Sequence, residues 1–554
     1  MRLIIQEYLS QLKESKELDK LLPDLLLAMK FIPITIPQVG VRQYGVDISA
    51  EYLDEKKNKN LYLFILKQGD IGRNDWDSSP QSVRQSLDEI KDVYLTKFIS
   101  IEYKNTVKKI ILCTNGVLKQ EIEGNWKGYI ENNTVKNIIE YELWNGFKLA
   151  QDIEKYMLNE FILLGNYKSK LRKTLAFIDD VDYNFSEYYS LLKENLINIE
   201  KNKRKAKRIL YSIRLILNII YKWSKENNNI KPALYAAERT LLNIYNYFRI
   251  NSYFDNNDLF KIFCLIFQDF SNIYIDYYKK VYQLCYIKNG FNNYSSYYLL
   301  ENQNLYEQLG IIAIIGLNHF YFKDIYKDND KISESIKNSL KAFINSHKSI
   351  SSPIYDNHII EIILALILLI NFNEIEFIGE WIDEIINRIE FAYVVLGKYF
   401  PIDTDSLEDA VLLLNADTKL KKDMISSSTL LPGLLQFSAI LKLDTLYKKI
   451  VEMIKRTFKQ TTLQIWFPDN TTDEYLYIEN AGYNSGSTFI LQSLPDNVED
   501  MNRLILECNK KYIYKNTNSS TDQEFMILPL IASRHFRTPV FPLYWSMYID
   551  DTDG

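Results

Sequence analysis

Hydrophobic and polar positions follow two different periods over the first third of the chain. Three stretches carry apolar residues at helical spacing, and four short apolar runs have the length and composition of strands. The helical stretches are 18–31, 80–95 and 147–161, and the strand-like runs are 44–48, 61–66, 108–112 and 137–143. A Pro- and Ile-rich stretch at 32–41 indicates an extended connector. This order of elements predicts an α/β sheet layered by helices.

The pattern becomes almost entirely helical beyond residue 165. Between about 166 and 460, apolar positions recur at helical spacing and short Asn/Asp-rich turns interrupt them, which predicts an α-helical array or bundle. No clean repeat period is visible, so no named solenoid class is indicated. From about 461 the pattern changes to strand-like runs at 463–467 and 474–478 and a helix at 499–509, which predicts a small α+β segment.

Size and charge narrow the classes of function. A chain of 554 residues is too long for one core and predicts several domains. The net charge of −5 argues against a generic polyanion binder, so a nucleic-acid site is expected to be a local patch. The chain contains no Walker A, GxSxG or HExxH motif, which argues against P-loop ATP hydrolysis and against the hydrolases that those motifs mark.

Cysteine usage and apolar runs indicate the compartment. The four cysteines are scattered without a CxxC pair and the four histidines are dispersed, which argues against a zinc ribbon or a histidine-based metal site. The run 359–372 is apolar but contains Glu361 and is too short to span a bilayer, so it predicts a buried helix. With an acid already at Glu7, no signal peptide is indicated. We therefore expect a cytoplasmic protein without a membrane partner.

An acid and a lysine stand on neighbouring strands of the predicted sheet. Asp47 ends the run Gly45–Val46–Asp47, and Lys67 ends the apolar run that begins at Leu61. A metal-dependent phosphodiesterase needs this arrangement, in which the carboxylate holds a divalent cation and the lysine orients or deprotonates the attacking water. The alternative is a plain hairpin with an exposed acid and an exposed lysine.

The order of these motifs resembles the Mrr-type branch of the PD-(D/E)xK restriction-endonuclease superfamily. The resemblance covers about the first third of the chain. The Gly-Val-Asp strand of the family matches Gly45–Val46–Asp47, and its lysine strand matches the run from Phe64 to Lys67. Weaker matches to the opening helix, the later Thr-Asn strand end and the last helix are Asp19, Leu25, Leu26, Met29, Phe31, Thr114–Asn115–Gly116 and Asn145 to Ala150, with Lys30 replacing a glycine.

The resemblance implies a fold, an activity and partners. It implies a restriction-endonuclease-like α/β domain at 1–165, a helical regulatory or partner-binding domain at 166–460 and a C-terminal α+β segment at 461–554. The implied activity is DNA cleavage with Mg²⁺ or Mn²⁺ in a prokaryotic antiphage defence system, with Asp47, Lys67 and Asp19 as catalytic residues. A protein partner would bind the helical body, and an oligomer is compatible with this plan.

The chain departs from the family pattern in one position. The family usually carries Glu or Gln two residues before the lysine, whereas this chain has Ile65 there. Side chains alternate along a strand, so Ile65 shares a face with Lys67. A hard cation is poorly held by one carboxylate. The competing hypothesis is therefore a catalytically degenerate subunit that binds nucleic acid or acts as a scaffold.

Other acids are candidates for the missing ligand. Asp70 lies past the strand end and would reach back as a second metal ligand, while Asp19 or a backbone carbonyl near Leu66 would add another oxygen. Pro23 leaves the acid of the opening helix open, because a helix that begins at Pro23 would favour Asp24 over Asp19.

Two basic segments are candidates for nucleic-acid binding through phosphate contacts. The alternative for the first is a solvated helix face, and for the second a Pro-stiffened terminal strand or a protein interface. The second lies in the segment 533–545, which also contains His535 and four aromatic residues. The candidate residues are Lys201, Lys203, Arg204, Lys205, Lys207 and Arg208 in the first segment, and Arg534 and Arg537 in the second.

Overall fold

The computed structural model forms two compact units. They are Met1–Ala236 with Asn257–Ile262, and Ala237–Asn256 with Phe263–Gly554. These units do not coincide with the boundaries expected at 165 and 460. The structure describes residues 1–35, 44–54, 57–157, 167–178, 185–197, 203–291, 298–322, 329–397, 401–415, 425–469, 471–479, 486–511, 525–541 and 547–549.

A five-stranded mixed sheet lies at the centre of the first unit. The strands pair side by side in chain order, antiparallel from the first to the third and parallel from the third to the fifth. Parallel strands that are covered on both faces have nearly continuous apolar sequences. This explains why the third and fourth strands are apolar along most of their length. The strands are β1 (Ile32–Thr35), β2 (Ile48–Leu53), β3 (Lys59–Lys67), β4 (Val107–Thr114) and β5 (Ile139–Trp144).

Helices and two π-helical segments complete the first unit. The helices are α1 (Arg2–Leu9), α2 (Asp19–Ala28), α3 (Arg73–Asp77), α4 (Val83–Glu89), α5 (Gln120–Asn133), α6 (Gly146–Tyr156), α7 (Tyr167–Ala176), α8 (Ser186–Ile197) and α9 (Lys203–Glu226). The π-helical segments are Glu14–Leu18 and Ile90–Phe98. The helix predicted at 80–95 thus begins later, at Val83, and changes to π geometry after Glu89.

Alternating residues of β3 pack on opposite sides of the sheet. Leu63 and Ile65 belong to one apolar core together with Trp76 and Trp126. On the other side, the Phe64 ring meets Trp144 edge to face at 5.2 Å between centroids. Both faces of the central strand are therefore covered, as its apolar sequence requires.

The second unit is a long helical body with a small sheet, so the predicted helical middle and C-terminal sheet are confirmed. Its strands are β6 (Ser427–Ser428), β7 (Thr462–Phe467) and β8 (Ser487–Ile490). The helices from the end of the first unit onward are α10 (Lys231–Ile250), α11 (Asn257–Val281), α12 (Tyr298–Tyr321), α13 (Asn329–Ser346), α14 (Ile359–Asn371), α15 (Ile375–Val394), α16 (Leu407–Asn415), α17 (Leu430–Ile440), α18 (Asp444–Thr457), α19 (Thr472–Tyr475), α20 (Val498–Lys511) and α21 (Ile527–His535).

Two segments of the second unit test the hydrophobic pattern. The apolar run at 359–372 forms α14, whose residues up to Leu369 are all buried, so the predicted core helix is confirmed. The strand predicted at 474–478 is wrong, because a helical turn, α19, occupies its start. Asp469 begins this turn by accepting hydrogen bonds from the Thr471 N–H and hydroxyl at 2.7 and 2.6 Å, an Asx turn that competes with extension. None of the helices in the described ranges has the length and apolarity to cross a bilayer.

Asn115 joins three parts of the first unit behind the strand ends. Its Nδ2 donates to the Leu9 and Leu12 carbonyls at 2.7 and 2.9 Å, and its Oδ1 accepts from the Gly69 N–H at 2.7 Å. The next residue must be glycine, because a Cβ on Gly116 would lie 2.2 Å from the Gly69 carbonyl carbon. The end of α1 and the turn after β3 are therefore fixed to the end of β4.

Replacing Asn115 by Ala should destabilise the first unit by about 2–4 kcal/mol, because two buried carbonyls and the part-buried Gly69 N–H lose their partner at once. Urea denaturation measures this cost. Asn133→Ala is the control, since Asn133 lies half-buried at the end of α5, where it donates to the Tyr129 carbonyl and accepts an exposed bond from Lys91. Equal stability losses in the two variants would contradict the joining role of Asn115.

Candidate active site

Asp47 and Lys67 come together where β2 begins and β3 ends. Asp47 immediately precedes β2, and its N–H donates to the Phe64 carbonyl at 2.9 Å. Its Oδ2 accepts from the Leu66 N–H at 2.7 Å, one residue before Lys67. Burial raises the pKa of Asp47, and the Leu66 N–H and the Lys67 ammonium lower that pKa in part. The structure thus brings these two predicted residues together.

A constrained turn delivers Asp47 to this position. Tyr44 and Gly45 both have left-handed backbone, with φ of 50° and 81°. A Cβ at Gly45 would lie 2.3 Å from the Ser86 carbonyl oxygen, so only glycine fits there. Backbone strain of this kind is often found beside functional residues, because the surrounding structure must hold it in place.

Ile65 leaves no room for the acid that the family pattern places on β3. The side chain is fully buried in the core between the sheet and the helices, together with Leu63 and Leu112. A carboxylate at this position would be desolvated without a partner. A second acid must therefore come from outside the strand.

The structure supplies such an acid from the segment between α1 and α2, and sequence reasoning missed it. Glu14 opens the π-helical segment Glu14–Leu18, and the Gln68 backbone N–H at the end of β3 lowers the pKa of the Glu14 carboxyl group. The acid-rich sequence before α2 was visible in the chain. A π-helical turn has no sequence signature, however, so the direction of Glu14 could not be predicted.

Glu14 belongs to an electrostatic cluster with the predicted site residues. Burial raises the pKa of Glu14, the Lys67 ammonium lowers it, and the carboxylates of Asp47 and Asp19 raise it again. Asp19 raises the pKa of Asp47 in the same way. Three carboxylates and one lysine therefore share this site, and the negative charges are only partly compensated.

Asp19, not Asp24, is the acid of α2 at this site. Helix α2 begins at Asp19 and includes Pro23, which resolves the alternative that the proline left open. Asp24 instead forms an ion pair with Lys168 at 2.7 Å. The Asp19 Oδ1 atom is buried and has no hydrogen-bond partner among the described residues.

Asp70 has a structural contact of its own. It lies exposed after β3, and its Oδ1 accepts from the Val117 N–H at 3.0 Å, which links the turns after β3 and β4. Asp70 is not among the carboxylates that shift the pKa values of Asp47 and Glu14. The predicted role of Asp70 as a metal ligand stays a prediction.

The donor set of the cluster suits a hard divalent cation. In the described part of the chain, no group of three His, Cys, Asp or Glu side chains lies close enough together to hold a metal ion as the side chains stand. The unpartnered Asp19 oxygen and the raised pKa values of Glu14 and Asp47 nevertheless mark carboxylates that lack a counter-charge. Mg²⁺ or Mn²⁺ would provide that counter-charge, with these three residues as ligands.

The first basic segment forms the start of α9, and its residues differ in exposure. Arg208 pairs with Glu17 at 2.5 Å and is thus engaged within the protein. Lys201 lies outside the described residues. The exposed residues are Lys203, Arg204 and Lys205, and the half-buried ones are Lys207 and Arg208.

Arg534, in the second basic segment, is buried. Its Nε donates to the Glu238 Oε1 at 3.2 Å, and its terminal Nη2 contacts the same oxygen. His535 Nδ1 lies 2.8 Å from the Glu238 Oε2, so one carboxylate holds two basic side chains. This burial disfavours the nucleic-acid contact predicted for Arg534, because its guanidinium would have to leave a buried ion pair.

Arg537 also has partners within the protein. It follows α21 with a left-handed φ of 56°, and the Thr538 N–H closes the helix on the Ser533 carbonyl at 3.0 Å. Glycine is usual at this position of a helix end. Here the arginine forms ion pairs with Glu361 and Asp405, which gives a reason for the unusual residue and disfavours a role in nucleic-acid binding.

Comparisons of the chain with models of known protein families, with curated proteins and with solved structures found no match. The resemblance to the restriction-endonuclease superfamily therefore depends on its motifs, and the case for an active site depends on the geometry at the ends of β2 and β3.

The acid cluster should reduce stability at neutral pH. A carboxyl whose folded-state pKa is raised stabilises the fold below its unfolded pKa of about 4, and this contribution is lost as the pH rises through the folded value. Asp47→Asn keeps an acceptor for the Leu66 N–H but removes one charge. We expect it to stabilise the protein by roughly 0.5–2 kcal/mol at pH 7.5 and by less at pH 4.5, measured by urea denaturation.

Asp24→Asn is the matched control for this experiment, since Asp24 is a paired acid on α2. It should not become more stable at neutral pH, because it removes the partner of Lys168. A loss of stability in Asp47→Asn that is the same at both pH values would contradict the uncompensated cluster.

Proposed function

We propose that the first unit is a metal-dependent endonuclease of the PD-(D/E)xK type that hydrolyses phosphodiester bonds in DNA. The observation that carries the proposal is the position of Asp47, whose Oδ2 accepts from the Leu66 N–H at 2.7 Å, one residue before Lys67 at the end of β3. Lys67, Glu14 and Asp19 lie near enough to shift the pKa values of this cluster. Titratable groups with opposing charges and pKa values raised by burial are typical of catalytic sites. The motif order that resembles the superfamily adds independent support.

The residues of the cluster divide the chemistry between them. A bound Mg²⁺ or Mn²⁺, held by Asp47, Asp19 and Glu14, would polarise the scissile phosphate. The Leu66 N–H fixes the Asp47 carboxylate in one orientation. Lys67 orients the attacking water through its Nζ and stabilises the negative charge that develops on the phosphate. The negative charges of Glu14 and Asp47 would favour the charged form of Lys67 beside the reacting group.

The wider proposal concerns partners. The exposed start of α9 would contact the phosphate backbone of the DNA, and the helical body would regulate cleavage or bind a protein partner. A role in prokaryotic antiphage defence follows from the resemblance alone, since folds host many functions.

A second candidate function is a catalytically degenerate subunit that binds nucleic acid or serves as a scaffold. The buried Ile65 favours it, because the usual acid of the lysine strand is missing. The two candidates differ in whether Glu14 replaces that acid.

Cleavage of supercoiled plasmid DNA with Mg²⁺ or Mn²⁺ tests the proposal. Wild type should nick or linearise the plasmid, and Lys67→Ala and Asp47→Asn should each lower the rate at least about 100-fold because both act on the reacting phosphate. Lys59→Ala is the control at the opposite end of β3, where Lys59 pairs with Glu51. Plasmid binding without cleavage in wild type would favour the degenerate subunit instead.

The same assay distinguishes the two candidates for the second acid. If Glu14 replaces the missing strand acid, Glu14→Gln should abolish cleavage about as fully as Asp47→Asn, whereas Asp70→Asn should stay within about threefold of wild type. Asp70→Asn loses only the charge on a residue that caps Val117. The reverse order of effects would assign the second carboxylate to Asp70.

A further inference from the structure

Helix α9 forms two ion pairs with the chain that precedes α2. Arg208 Nη1 lies 2.5 Å from the Glu17 Oε1, and Arg214 Nη1 lies 2.5 Å from the Glu7 Oε2. The acidic partners belong to different elements. Glu7 is part of α1, whereas Glu17 is part of the π-helical segment Glu14–Leu18 that presents Glu14.

Glu17 also closes the turn to which it belongs. Its Oε2 accepts from the Lys13 N–H at 2.8 Å, while the Leu18 N–H donates to the Lys13 carbonyl at 2.9 Å. The Glu17 side chain is 13% exposed and that of Arg208 35%, so the pair is partly shielded from water. Isolated π-helical turns are rare, so contacts must hold this turn in place. Glu17 provides two of them, the hydrogen bond from the Lys13 N–H and the ion pair with Arg208.

The turn connects the Glu17 contacts to the candidate active site. Glu14 is its first residue, the segment Glu14–Leu18 packs against β3, and both the Gln68 N–H and the Lys67 ammonium lower the pKa of Glu14. Relaxation of the turn to ordinary α geometry would rotate Glu14 relative to Lys67, and active sites tolerate displacements of only about 0.5 Å. The ion pair of Arg208 with Glu17 is therefore connected, through the turn to which Glu17 and Glu14 both belong, to the end of β3.

We propose that Arg208 is a positioning residue for the hydrolytic site: its ion pair with Glu17 holds the π-helical turn that places Glu14 beside Lys67. This inference rests on the proposed function of the first unit. It gives one arginine of the basic segment a role in supporting the active site, whereas the exposed residues of that segment keep the role of phosphate contact.

The experiment compares Arg208→Gln and Glu17→Gln with the matched controls Arg214→Gln and Glu7→Gln. Amide hydrogen exchange of Lys13 and Leu18 is measured without metal, and plasmid cleavage is measured across DNA concentrations. The first two variants should speed exchange at both amides at least about tenfold and lower kcat about 10–100-fold, with KM for DNA within twofold. The two controls should change neither readout more than twofold.

Arg208→Lys should recover much of the slow exchange and of kcat, because it keeps the positive charge next to Glu17. A raised KM with unchanged exchange in Arg208→Gln would instead assign Arg208 to phosphate contact. Equal effects of Glu7→Gln and Glu17→Gln would mean that both ion pairs only anchor α9 to the chain that precedes α2. Absence of cleavage in wild type would refute the proposed function, and the exchange data alone would then decide whether Arg208 holds the turn of Glu14.

Discussion

The three hydrogen bonds of Asn115, two of them buried and one part-buried, are the constraint on which the first unit depends. The charged residues of the candidate site come from separate stretches of chain, and Asn115 binds the chain close to two of them, Lys67 and Glu14. The Gly69 N–H belongs to the turn directly after Lys67, and the Leu9 and Leu12 carbonyls lie just before Glu14. One amide side chain thus caps the end of α1, whose last carbonyls lack helical partners, and sets its distance from β3.

The two charged clusters of the protein illustrate different electrostatic states. In the second unit Glu238 is fully buried, yet Arg534 and His535 outweigh the cost of burial and lower the pKa of Glu238 to about 2. In the first unit, burial and neighbouring acids raise the pKa values of Glu14 and Asp47, and one lysine only partly opposes them. A buried carboxylate whose charge is balanced by basic side chains is a structural feature. A buried carboxylate whose charge is only partly balanced is tolerated where a ligand or a reaction uses that charge.

Sequence patterns predicted the parts of the fold that local chemistry determines. Strands β3, β4 and β5, the helical middle and the buried helix α14 follow from apolar periodicity. By contrast, β1 lies in the stretch predicted to be a connector, and β2 begins at Ile48, where the strand predicted at 44–48 ends. The pattern failed where a long-range partner or an irregular turn decides the outcome. Glu14 depends on a π-helical turn, and Arg534 is buried by a carboxylate 296 residues earlier in the chain. Neither contact can be recognised from the spacing of residues in the local sequence.

The long separation of Glu238 and Arg534 along the chain has a consequence for synthesis on the ribosome. Ion pairs of the first unit, such as Glu7 with Arg214, are complete once α9 has emerged. Glu238 emerges soon afterwards, but its partner Arg534 follows 296 residues later. At about 5–20 residues per second, this interval lasts roughly 15–60 s. During that time Glu238 lacks the arginine that pairs with it in the folded second unit, so this buried ion pair cannot form until Arg534 has been made.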